Sequence, residues 1–223
     1  MDISLKSYYF VFQSTFKMKT TENYLAEIKE IRKMMEESSR FLTLSGLSGI
    51  LVGIYALIGS FLAYQIISTN ITFGSFPYNS TASQLIILAV ILLIVSLFTV
   101  LSLTYNKAKK AGKKIWNPGS RLMLLNLSIP LVSGGLLILI FLIKGVYEIA
   151  APGCLIFYGL ALINAAKFTR QEIFYLGLLQ LTLGILAAVL PSLGLFIWAL
   201  GFGVLHIVYG ILMYYRYERQ IKG

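Results

Sequence analysis

Six apolar runs dominate the sequence, at 41–67, 84–104, 122–143, 149–166, 173–190 and 194–215. Each approaches or exceeds the roughly 20 helical residues needed to cross a hydrocarbon core of about 30 Å. Inside such a core every backbone N–H and C=O must find a partner, and a helix supplies them all from its own segment. The runs cover 128 of the 223 residues, which leaves no room for a soluble catalytic domain. The fold expected is therefore all-α: a polytopic membrane helix bundle of six transmembrane helices, with an N-terminal cytoplasmic amphipathic helix before it. Composition agrees, with 57% hydrophobic and 13% charged residues. The first run opens only at Phe41 and is too long for the apolar region of a secretory signal, so it should persist as the first span.

Charge sets the orientation. A formal charge of +10 on a soluble chain would suggest a nucleic-acid partner, but here the cations sit between the spans. Counted by alternate sides, 18 of the 19 Lys and Arg fall on one side, and Lys144 alone falls on the other. Basic residues accumulate in the cytoplasm, so both termini should be cytoplasmic in a cell inner (plasma) membrane, with the lipid bilayer as partner and no nucleic acid. Lys107, Lys109, Lys110, Lys113, Lys114 and Arg121 form the densest basic group, suited to anionic lipid headgroups on the cytoplasmic face.

Little chain remains outside the membrane. Residues 1–17 show no helical stripe and read as a tail or a start-site artefact, since Met18 opens a more ordinary N-terminus. Residues 18–40 read as a cytoplasmic amphipathic helix with Tyr24, Ile28, Ile31 and Met35 on one stripe, and 216–223 as a cytoplasmic tail. Asn70-Ile71-Thr72 and Asn79-Ser80-Thr81 match glycosylation sequons, which carry no weight in a bacterial protein.

The last four spans resemble one hairpin written twice. Leu124-Leu125-Asn126-Leu127 echoes Leu178-Leu179-Gln180-Leu181, and Ile156-Phe157-Tyr158-Gly159-Leu160 echoes Ile207-Val208-Tyr209-Gly210-Ile211. Small residues mark the faces where membrane helices approach one another. Ser45, Gly46, Gly49 and Gly53 mark such a face on the first span, and Gly201, Gly203 and Gly210 mark one on the last. Their partner is a neighbouring span or a second subunit of a homo-oligomer. Arg40-Phe41-Leu42-Thr43-Leu44-Ser45-Gly46-Leu47-Ser48-Gly49 and the closing run from Phe196 to Gly210 resemble a family of uncharacterised six-span bacterial integral membrane proteins. That resemblance implies the span boundaries and no activity. In layout, the repeated hairpins also resemble six-span acid-resistance membrane proteins of the HdeD type.

Polar groups at membrane depth are the remaining candidates. Ser48, Asn126, Asn164, Gln180 and His206 all fall in the cytoplasmic halves of their spans, where they either line a polar pocket or bond helix to helix. The burial expected of His206 leaves it one hydrogen bond, with Ser48, Asn126 or Gln180. Gly46-Leu47-Ser48-Gly49 also matches the GxSG of rhomboid proteases. However, that nucleophile belongs to a fourth span and works with further groups, including a second histidine, and this chain has a single histidine. One His, one Cys and no mid-membrane carboxylate supply no metal ligand set. The expectation is a non-enzymatic structural, sensory or stress-related membrane protein without cofactor, metal or catalytic residues. The alternative is a channel or facilitator for a small solute.

Overall fold

The computed structural model describes residues 23–29, 45–72, 78–110, 112 and 116–218. The chain divides into two units, Met1–Ser39 and Arg40–Gly223. Of the first, residues 23–29 are described; they are helical and exposed, Tyr24 and Ile28 included. The 1–17 tail, the rest of the amphipathic stretch, residues 41–44, Lys113, Lys114 and 219–223 lie outside the described residues.

In the second unit the described residues contain helices and no strand. They are α1 (Gly46–Thr72), α2 (Tyr78–Lys110), α3 (Pro118–Ile143), α4 (Ala150–Ala166), α5 (Gln171–Val189) and a composite rod, α6. That rod joins a 3-10 turn (Pro191–Leu193), an α segment (Gly194–Trp198), a π segment (Ala199–Leu205), a second α segment (His206–Met213) and a second π segment (Tyr214–Glu218). Five of the six are long and apolar enough to cross a membrane, and α4 is an apolar helix of 17 residues. The chain is a multi-pass membrane protein.

Several helix ends differ from the hydropathy boundaries, because helical bonding continues where apolarity stops. α2 runs through Lys107, Lys109 and Lys110, so these three occupy its last turn and not a loop, next to the negative end of the helix dipole. α3 starts earlier than its apolar run, at a capping box. Asn117 accepts from the Ser120 N–H at 2.8 Å, the Ser120 hydroxyl accepts from the Asn117 N–H at 2.9 Å, and Pro118 follows the cap. It ends where Gly145 takes φ +80°, with the Gly145 and Val146 N–H groups returning to the carbonyls of Leu142 and Phe141.

α1 packs between α2 and α6, α4 packs between α3 and α5, and α6 joins the two groups by touching α5 and α4 as well as α1. The most apolar stretch of α2 buries nothing within the chain, as expected of a helix whose solvent is lipid. The contact between α1 and α6 is built on glycine. A methyl added at Gly53 would lie 2.6 Å from the Gly203 carbonyl oxygen, one at Gly46 2.7 Å from that of Gly210, and one at Gly210 2.6 Å from that of Gly46. Gly49 meets the Gly210 Cα, and Ser45, just before α1, is buried. With no hydrophobic drive between helices in lipid, this backbone approach and its dispersion contacts provide the attraction.

Candidate functional site

The buried residues of α5 recur at helical spacing, Ile173, Leu176, Gly177, Gln180, Gly184 and Ala187, so Gln180 lies on the inward stripe. Gly177 and Gly159 face each other across α5 and α4, where an added methyl would stand 2.8 Å and 2.7 Å from the opposite carbonyl oxygen. Gly184 sits as tightly against the Ile156 backbone. This close pairing lets Gln180 of α5 and Tyr158 of α4 both reach α6 at and just after its π segment.

Four groups meet there. Gln180 Nε2 donates to the Gly201 carbonyl at 2.8 Å, His206 Nδ1 lies 3.0 Å from that same oxygen, and Tyr158 Oη lies 2.8 Å from His206 Nε2. A carbonyl only accepts, so Nδ1 carries a proton; with the ring singly protonated, Nε2 is an acceptor and the Tyr158 hydroxyl donates to it. The 3.5 Å approach of Gln180 Nε2 to Nδ1 then sets two donors side by side, both aimed at one oxygen. Gln180 Oε1 is buried without a hydrogen-bond partner and lies where a methyl on Gly201 would meet it, at 2.6 Å.

Aromatic rings enclose the node. Trp198, Phe202 and His206 follow one another along α6, with centroids 5.0 Å and 5.8 Å apart and the Phe202 and His206 planes only 12° apart. The Tyr158 ring lies 5.1 Å from Phe202 and 5.5 Å from His206. In a π segment backbone hydrogen bonding spans five residues instead of four, a local widening often found at functional sites. Here it lies between Trp198 and His206, with its Gly201 turned to Gln180 and Leu155 and its Gly203 turned to Leu57 of α1.

The five polar candidates do not form one pocket. Gln180 and His206 meet. Ser48, although buried, donates to the Ser45 carbonyl at 2.6 Å, and Asn126 donates to the Leu122 carbonyl at 2.8 Å, each within its own helical neighbourhood. Asn164 is half-buried and takes no part in the cluster. His206 therefore bonds Tyr158 and the Gly201 carbonyl, not Ser48 or Asn126, and no Ser48–His206 dyad exists. Of the seven small residues, Gly201 belongs to the α4–α5 side, the other five glycines to the α1–α6 contact, and Ser45 is buried just before α1. The basic group divides between the end of α2 (Lys107, Lys109, Lys110) and the start of α3 (Arg121), with Lys113 and Lys114 outside the described residues.

Tyr158 was visible in the sequence only as half of the repeated Tyr-Gly pair, and the Gly201 carbonyl carries no sequence signal. Also unanticipated is a charged group where the start of α5 meets the end of α6. Glu172 pairs with Arg216 at 2.9 Å and accepts from the Tyr217 hydroxyl at 2.7 Å, while Arg170 lies 4.3 Å from the Tyr217 ring centroid. Among the described residues no three His, Cys, Asp or Glu side chains converge. No protein-family model, curated protein or solved structure matches this chain.

Proposed function

We propose that this is a non-enzymatic six-span protein of a bacterial inner membrane, with both termini in the cytoplasm and a structural, sensory or stress-related role. In this reading α4 is the sixth span, since 17 residues at 1.5 Å each give about 26 Å, near the lower limit for crossing. The 18-to-1 distribution of cations supports the orientation. The amphipathic stretch lies on the inner surface, and the bases at the α2–α3 junction contact anionic headgroups.

One observation carries the choice between a locked bundle and a facilitator. His206 and Gln180 are 5% and 0% exposed, and their hydrogen bonds go to protein groups. A solute path needs polar groups facing water, whereas this node faces Tyr158, Phe202 and Leu155, so it serves to fasten α4, α5 and α6 at the π segment. Stopped-flow measurement of vesicles carrying the reconstituted chain tests this with glycerol and urea gradients. Flux should match that of protein-free vesicles. Faster flux that Gln180→Leu abolishes would establish the facilitator instead.

A further inference from the structure

His206 reaches back along α6 to the carbonyl of Gly201, five residues before it, at 3.0 Å. At about 100° per residue a regular α-helix would set two such residues roughly 140° apart, on different sides of the rod. The π segment between them returns them to one side. Gln180 approaches the same oxygen from α5 at 2.8 Å. A carbonyl has two lone pairs, and these side chains supply two donors, so an α-ladder bond from the Leu205 N–H would have to compete with both. What lies beyond the π segment depends on it. The wide turn holds one residue more than an α turn, so in an uninterrupted α-helix each later residue would stand where its successor now stands, about 100° round and about 1.5 Å along. Gly210 now faces α1, where an added methyl would lie 2.6 Å from the Gly46 carbonyl oxygen and 2.6 Å from the Ile50 nitrogen. Tyr209 would take that place, which has no room even for a methyl.

We propose that Gln180 sets the register of α6: by holding the Gly201 carbonyl it keeps the π segment, and so turns Gly210 and not Tyr209 to α1. Gln180 is then a positioning residue for a helix contact in which it has no part. Nine residues separate Gly201 from Gly210, about 13 Å along the rod. Substitutions that far apart ordinarily act independently. Here the link is one element with two discrete arrangements, the wide turn and the regular one, and both the node and the glycine contact select the first. The inference rests on the fastening role proposed for the node and extends it to the α1–α6 contact.

The test is a double-mutant cycle on the full chain, unfolded reversibly from mixed micelles. Once Gln180→Leu has released the register, the Gly210 contact is already lost. Gln180→Leu/Gly210→Ala should therefore raise the unfolding constant about fivefold less, or better, than the product of the two single effects. Gly59 packs against the Leu92 side chain of α2, away from α6, so Gln180→Leu/Gly59→Ala should match its product within about twofold. The register itself is read in bilayers from the oxygen accessibility of spin labels on single cysteines, with Cys154 replaced by alanine. Val208 and Leu212 are exposed, Ile207 is half-buried and Met213 is buried. In Gln180→Leu, accessibility should fall at Val208 and Leu212 and rise at Ile207, while Phe196, ahead of the π segment, keeps its value. Deleting Leu200 from the Gln180→Leu chain removes the extra residue and should restore the wild-type pattern. Independent effects at Gln180 and Gly210, or an accessibility pattern that Gln180→Leu leaves unchanged, would each overturn the inference. So would equal coupling to Gly59, which would mean a general loosening of the bundle. None of these results decides between locked bundle and facilitator, which the flux comparison settles separately.

Discussion

Tyr158 illustrates how one hydroxyl fixes a buried ring. Removing it leaves His206 Nε2 as an acceptor with no donor, in a surrounding of rings and aliphatic chains where water does not replace it. Interhelical hydrogen bonds in membranes average about 0.6 kcal/mol and reach about 1.7, and the stranded acceptor places this one toward the upper end. Tyr158→Phe should therefore destabilise the chain by about 1–2 kcal/mol in reversible denaturant unfolding from mixed micelles. Asn126→Ala, which removes a bond only to its own helix, should cost under about 0.5 kcal/mol. A smaller loss for Tyr158→Phe than for Asn126→Ala would contradict the node. Asn126 and Gln180 are equivalent in the two sequence copies, but the longer amide arm and the π segment opposite it give Gln180 a carbonyl on another helix.

At the scale of elements the glycine contacts determine which helices touch. α1 meets α6 through Gly46, Gly49, Gly53, Gly203 and Gly210, and α4 meets α5 through Gly159, Gly177 and Gly184. Even alanine is too large at Gly53, where the obstacle is the Gly203 backbone, which cannot rotate away as a side-chain tip can. Gly53→Ala should lower stability by about 1–3 kcal/mol, and Gly201→Ala, which meets the side-chain tips of Leu155 and Gln180 and no backbone, by less. Gly135→Ala, with open space around it, should be neutral or slightly stabilising, since alanine favours helix. Melting in the same detergent orders the three, and equal temperatures would refute glycine-mediated packing.

Across the whole molecule, the helices run as a chain of neighbours from α2 through α1 and α6 to α5, α4 and α3, and much of the apolar surface of α2 and α3 faces outward. Orientation is the property tested at this scale. With Cys154 replaced by alanine, a cysteine at Ser75 should react with an impermeant thiol reagent added to intact cells, and one at Lys113 should react only after the membrane is opened. Labelling of the Lys113 position from outside would reverse the topology.

Sequence alone determined that the chain is helical and membrane-embedded, because apolar length is a one-dimensional property and lipid permits few backbone solutions. The glycine faces of α1 and α6 were legible for the same reason, since spacing along a helix predicts which residues share a side. The ends of helices were less legible. α2 continues through three lysines because hydrogen bonding, not hydropathy, terminates a helix. Tertiary structure alone decided which polar side chains meet. Ser48, Asn126, Asn164, Gln180 and His206 look alike as polar interruptions of apolar runs, but only Gln180 and His206 meet, at the Gly201 carbonyl, which lies across from Gln180 and five residues before His206 on α6. That carbonyl belongs to a π segment, and a backbone that widens by one residue leaves no mark in the side-chain pattern from which sequence is read.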